Sequence, residues 1–443
     1  MKNFVGLLFI ISSALFGYYM WMNYDLGIFI VLAIILGAYM AMNIWANDVA
    51  NNVWPAVWSK AINMKWALVI AALWEFSWAV IAWWDVVKTI KKWIIDISNF
   101  SDPNMFIFAM LAALLAAALW LNLATYLKAP VSTTHSIVWG VMWAWIAAFW
   151  VSIVSWWTMW KIAASWVISP VLWWLIAAIF LFCIKMTIIY QDDKVKQAKK
   201  WIPLYVSIMW WAFTTYLILK WLKHLIKVDF ITAASIGIII AWIIFAITRT
   251  YLNKTKKLKN NRESVNLMFT IPLIFSVLLL SFAHWANDVA NAIWPIAWIY
   301  DAVISWHVSA KVGIQTWILV LGWLWITFWL ALYWPRIIKT VWNEITELDR
   351  VRAFSIALAA AITVIIASQL GLPVSSTHIA LGWIFWVWFL REWLDRKTKK
   401  PEDKYVKREL IWKIIAAWVI TVPVVAFISG MIFMLFNNLF IIN

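Results

Sequence analysis

Long apolar runs separated by short polar segments dominate this chain. A stretch of about 17 to 25 apolar residues, wound as helix at about 1.5 Å per residue, is long enough to cross a bilayer core of about 30 Å. Such runs lie near residues 4–22, 26–45, 66–84, 105–127, 131–157, 162–188, 202–222, 229–250, 265–284, 313–333, 352–371, 374–392 and 410–436. They predict an all-α integral membrane protein with about 12 or 13 crossings. The first run, Val5 to Met20 behind Lys2, reads as a first helix rather than a cleaved leader, because the apolar sequence continues past any cleavage position.

Composition supports that class. Hydrophobic residues make up 66% of 443 positions and charged ones 13%, too apolar for a soluble globule of this length. The net charge of +16 invites a nucleic-acid reading until its location is considered. The excess sits in three polar connectors, Gln191 to Lys200, Asn253 to Arg262 and Asp395 to Arg408, separated by even numbers of crossings and so on one face. Lys and Arg collect on the cytoplasmic side of membrane proteins and touch anionic lipid heads there, so the charge implies topology and lipid contact, not nucleic acid. The single cysteine, Cys183, excludes an internal disulfide and has no metal-site spacing.

Polar residues inside the apolar runs are the exception, and they come in pairs. Trp45-Ala46-Asn47-Asp48-Val49-Ala50-Asn51 returns as Trp285-Ala286-Asn287-Asp288-Val289-Ala290-Asn291, each followed by Trp-Pro at 54–55 and 294–295, an offset of 240. Pro130-Val131-Ser132-Thr133-Thr134-His135 returns as Pro373-Val374-Ser375-Ser376-Thr377-His378, an offset of 243. Glu75 and Gln315 form a weaker third pair at the first offset. An odd number of crossings separates the two Asn-Asp blocks, so the second copy is inverted. The expected architecture is two inverted-topology repeats with broken or re-entrant helices. The first repeat falls in residues 1–190 and the second in 264–443, joined by helices and basic loops over 191–263.

The chemistry follows from residue type. Asn47 and Asn51 share a helix face beside Asp48, and Asn287, Asp288 and Asn291 repeat that arrangement. A carboxylate with amide and backbone carbonyls is a natural cage for a small hard cation, and Pro55 and Pro295 are expected to interrupt the helix and free carbonyls. Glu75 and Gln315 are candidates for the same oxygen-ligand role. Ser132, Thr133 and Thr134, and Ser375, Ser376 and Thr377, sit where helices start. A helix start offers N–H groups, hydroxyls and a partial positive charge, which together bind a tetrahedral oxyanion without Lys or Arg; plain capping by Ser132 and Ser375 is the simpler role. His135 and His378 follow as candidates for coupling or for orienting the helix start. An anion beside Asp48 and Asp288 needs compensating charge, which favours sodium ions or protons as co-substrates. The several neutral oxygens around each acid favour sodium.

The paired Ala-Asn-Asp-Val-Ala-Asn and Pro-Val-Ser-(Ser/Thr)-Thr-His blocks resemble the signature of the PiT family of inorganic phosphate transporters, over roughly residues 40 to 390. The resemblance implies a symporter of phosphate and sodium, or of phosphate and protons, in the plasma membrane, with no cofactor and no enzymatic activity. It also implies a scaffold of outer helices, and it is compatible with a homodimer. Sulfate or another oxyanion is the nearest alternative substrate.

One departure from the family is large. The family writes Gly where this chain has Trp45, Trp54, Trp285 and Trp294. The chain holds 42 Trp and 11 Gly, whereas average usage would give about 31 Gly. The repeats show the exchange internally: at the offset of 243, Trp139 pairs with Gly382 and Gly140 with Trp383. Indoles at glycine contacts are expected to disturb packing. Either the polypeptide was altered or glycine stands at these positions in the native protein.

Overall fold

The structure, a computed structural model, describes residues 2–24, 27–48, 50–67, 69–70, 73, 102–127, 129, 131–220, 228–255, 258–284, 290–308, 312–332, 348–369, 375 and 408–441. In chain order these form α1 (Lys2–Tyr24), α2 (Gly27–Asp48), α3 (Ala50–Trp58), α4 (Pro103–Tyr126), α5 (Thr133–Phe149), α6 (Trp156–Ile184), α7 (Lys194–Lys220) and α8 (Phe230–Lys254). They continue with α9 (Arg262–Met268), α10 (Thr270–His284), α11 (Ala290–Ser305), α12 (Thr316–Leu332), α13 (Arg350–Gln369) and α14 (Arg408–Ile441). Among the described residues six helices are long and apolar enough to cross a membrane, or seven when the bent pair α9 and α10 counts as one span. The expected crossings 66–84 and 374–392 fall almost entirely outside the described residues.

Local sequence explains the breaks. α9 and α10 meet at 45°, where Pro272 has no N–H to offer the carbonyl of Met268 four residues back. The run expected to cross as 131–157 divides instead. α5 spans 17 residues, about 25 Å and short of a full bilayer core. It stops at Trp150, whose φ of 72° and ψ of 173° end the helix. A 3-10 turn, Val151–Ile153, then leads to α6. The apolar pattern runs straight through this break, so only the backbone reveals it. Pro55 and Pro295 lie inside α3 and α11 and do not interrupt them. Their effect is narrower: each leaves the carbonyl four residues earlier, Asn51 and Asn291, without an intrahelical donor.

The two halves pack in a matched and crossed pattern. With α2, α3, α4 and α6 taken as counterparts of α10, α11, α13 and α14, α2 packs on α4 as α10 packs on α13. α11 lies against α2 and α4, while α3 lies against α10 and α13. α14 covers α4, and α6 covers α13. Each half therefore places its short post-Asn-Asp helix in the body of the other.

Small residues permit this. α4 buries Ala109, Ala112, Ala113 and Ala116 to Ala118, and its counterpart α13 buries Ala357 and Ala359 to Ala361. Lipid tails match apolar side chains, so close backbone approach through small residues holds membrane helices together. Gly37 shows the tolerance at the α2–α11 crossing: a Cβ there would lie 2.2 Å from Ile296 Cδ1. Side-chain hydrogen bonds fasten the outer helices, Trp120 Nε1 donating to Thr421 Oγ1 at 3.0 Å and Ser429 Oγ to the Gly140 carbonyl at 2.6 Å. Such bonds add about 0.6 kcal/mol each on average.

The polar connectors gather at one end of the bundle. Lys199 Nζ donates to the Thr255 carbonyl at 3.0 Å, and Asn260 Nδ2 to that of Asp192 at 2.8 Å. Arg262 pairs with Asp349 at 2.6 Å. The segments 191–200 and 253–262 thus share a face, as the charge rule requires. Most of the third, 395–408, lies outside the described residues.

Candidate functional site

α5 starts inside the protein. Ser132, Thr133, Thr134 and His135 are all buried, none above 5% exposed. Ser132 holds an extended backbone and accepts the His135 N–H at 3.1 Å, the geometry of an N-cap. Its carbonyl takes the first helical bond, from Ser136 N–H at 3.0 Å. Capping uses the lone pairs of the Ser132 hydroxyl and leaves its own proton to donate. Thr133 and Thr134 open the helix, at the positive end of its dipole. The plain capping role and the anion-binding role are therefore compatible in one residue. The His135 ring lies against Trp166 of α6 with centroids 3.7 Å apart and planes tilted by 35°. That contact holds the imidazole against an indole, and spacing in sequence gave no sign of it.

The Asn residues approach from α2 and α11. Asn47 is 2% exposed, and neither its Oδ1 nor its Nδ2 has a hydrogen-bond partner among the described residues. An amide buried in that way costs about 1–3 kcal/mol unless something occupies it. Asn291 is equally buried and donates from Nδ2 to Thr134 Oγ1 at 3.1 Å. The other branch of that amide is a carbonyl oxygen, the atom type a hard cation binds. One hydrogen bond thus joins the helix start of the first half to the Asn-bearing helix of the second.

Other expected site residues are placed less completely. Asp48 and Asn51 are helical, ending α2 and opening α3, and their side chains lie outside the described set, as do Glu75, Asn287, Asp288, Ser376, Thr377 and His378. Ser375 is buried at 2%. Gln315 is exposed, and its carbonyl accepts the Ile318 N–H at 3.0 Å at the start of α12. It is exposed where Asn47 and Asn291 are buried.

Sequence reading missed a polar pair one turn from Asn47. Asn122 Nδ2 donates to Asn43 Oδ1 at 3.1 Å, and Asn43 Nδ2 to the Tyr39 carbonyl at 2.8 Å. Asn43, Asn47 and Asn51 form an unbroken i, i+4 row, which was the available signal. A search by repeat discards it, since the residue 240 positions on is Ala283.

Buried hydroxyls and amides supplied by both halves, within a bundle of membrane-length helices, define a multi-pass membrane transporter rather than an enzyme. Comparison with known proteins gives the family. The phosphate transporter family matches residues 44–429. The chain is 46% identical over 406 residues to a protein of Helicobacter pylori provisionally named phosphate permease, covering 90% of this chain and 76% of that one. It is 35% identical over 409 residues to a protein of the same provisional name from Pyrococcus abyssi, covering 92% and 98%. A solved structure described as the sodium-dependent phosphate transporter superposes with a TM-score of 0.83 at 31% identity, covering 93% of this chain and all of that one. The chain belongs to the phosphate transporter family.

Proposed function

We propose that the protein carries inorganic phosphate across the plasma membrane together with sodium, by alternating access between its two inverted halves. The observation that carries this reading is the 3.1 Å bond from Asn291 to Thr134, which sets a cation-type ligand beside an anion-type helix start. Phosphate brings one to two negative charges into a site whose donors are hydroxyls and helix N–H groups. Asp48 and Asp288 add two more when ionised. Sodium at the Asn-Asp blocks offsets that charge, so phosphate binding and sodium binding support each other. In this reading Ser132, Thr133, Thr134, Ser375, Ser376 and Thr377 hold phosphate. Asn47, Asp48, Asn51, Asn287, Asp288 and Asn291 hold sodium. The orphaned amide of Asn47 and the sodium dependence named for the 31% identical structure support sodium over protons.

The test is phosphate uptake by purified protein in vesicles, with sodium and proton gradients imposed separately and sulfate added as competitor. Uptake should follow the sodium gradient and resist sulfate. Uptake driven equally well by protons without sodium would sink the coupling assignment, and full competition by sulfate would sink the choice of phosphate.

A further inference from the structure

We propose a binding site for an anionic phospholipid headgroup at the basic end of the α7–α8 hairpin, distinct from the transport site. A cavity of about 730 Å³ opens there between the two helices. Lys196, Lys199, Lys200 and Arg249 line it, against one acid, Asp193. Asp193 is engaged at the start of α7, accepting the Lys196 backbone N–H at 3.0 Å. Among the described residues none of the four cations has a carboxylate within ion-pair distance. Lys200 Nζ lies over the Trp201 ring, 5.3 Å from its centroid, and the Arg249 guanidinium over Phe245 at 5.9 Å. The cavity therefore has a cationic mouth and an aromatic wall.

The surface beside it decides the occupant. α8 leaves Ile238, Ile239 and Trp242 exposed at 60, 60 and 73% on an apolar helix long enough to cross the membrane. That face lies against acyl chains. It ends at Arg249 and Asn253, where the basic cavity begins. A phosphodiester at that depth meets Lys196, Lys200 and Arg249, with Lys199 already donating to the Thr255 carbonyl, while its chains stay on the apolar face, and juxtamembrane Lys and Arg attract anionic headgroups. Free phosphate shares the headgroup charge but has nothing to place against Ile238 to Trp242.

Native mass spectrometry of the detergent-purified full chain tests this with phosphatidylglycerol, phosphatidylcholine and inorganic phosphate as separate probes. The chain should retain phosphatidylglycerol over phosphatidylcholine. Lys196→Gln with Lys200→Gln and Arg249→Gln should lower that retention at least fivefold, while Lys200→Arg with Arg249→Lys, which keeps the charge, should not. Equal retention of both lipids, unchanged retention in the neutral triple variant, or displacement of phosphatidylglycerol by millimolar phosphate would overturn the assignment.

A separate observation carries a second inference, that the native polypeptide has glycine at part of its Trp positions. Among the described residues Lys60, Trp150 and Trp306 are the non-glycine residues with positive φ. Trp150, at φ 72° and ψ 173°, occupies a region that is essentially glycine-only. Trp306, at φ 51° just after α11, takes the left-handed place that glycine usually fills beyond a helix end. Packing agrees. The indole N–H groups of Trp139 and Trp294 are buried with no acceptor among the described residues. At Gly140 even a Cβ would come within 3.2 Å of the Ala113 carbonyl, and the repeat mate of that position is Trp383. The bundle encloses other indoles, Trp145 and Trp173 among them, so the expected disruption is local rather than general. Intact mass of the protein purified from its own cells should fall several kDa below 51.7 kDa, and peptide sequencing should find glycine at 150 and 306. A mass of 51.7 kDa with Trp at both positions would refute it.

Discussion

The middle of the bundle and the outer end of the α7–α8 hairpin both face negatively charged ligands in the readings above, yet they are built from opposite materials. At the start of α5 the chain offers Ser132, Thr133, Thr134 and an amide from Asn291. Among the described residues no Lys or Arg is buried. At the hairpin it offers Lys196, Lys199, Lys200 and Arg249 around an open cavity. A fixed cation in the core would hold phosphate whether or not sodium were present. In the proposed reading, neutral donors leave the charge balance to the travelling ion, so the weakness of the core as an anion site would be what allows coupling. At the edge nothing must be released on cue, and permanent charge serves.

The largest effect should come from removing the charge that sodium balances. Asp48→Asn or Asp288→Asn should abolish sodium-driven phosphate uptake while leaving the protein folded by circular dichroism. If both variants keep their sodium dependence, the core does not work as described. Next come the hydroxyls. Ser132→Ala or Ser375→Ala removes a donor to a buried charged partner, at a cost of about 1 to 3 kcal/mol, so phosphate affinity at fixed sodium should fall roughly ten- to hundredfold. Unchanged affinity in both would take these segments out of the site. Asn47→Ala should act more mildly, raising the sodium concentration for half-maximal uptake severalfold with little change at saturating sodium. The smallest effect belongs to the edge: Lys200→Gln should leave phosphate affinity within about twofold, and a larger drop would erase the contrast between the two regions.

How much of this was legible in the sequence depends on the range of the signal. Membrane-length helices such as α4 and α8 stand out because twenty-odd apolar residues leave few alternatives. The paired motifs singled out Ser132 and Asn291 separately, one as a candidate anion ligand and one as a candidate cation ligand. Their meeting was invisible, because the Thr134–Asn291 bond spans 157 positions and depends on how two halves interlock. The end of α5 at Phe149 was hidden for the opposite reason: a Trp in an apolar run marks no boundary, and the turn lies in its backbone angles. Pro55 and Pro295 were read as helix breakers, but each helix continues through its proline and only one carbonyl is released.

The crossed packing also sets an order of events during synthesis. α3 leaves the ribosome early, carrying Asn51 and the end of the first Asn-Asp block, but the helices it rests on, α10 and α13, are made long afterwards. Until they arrive, a short segment with polar residues has no place of its own in the bilayer. The first half is thus a client waiting for its second. A chain truncated after α8 should be held by insertion machinery or degraded instead of settling as a stable half-transporter.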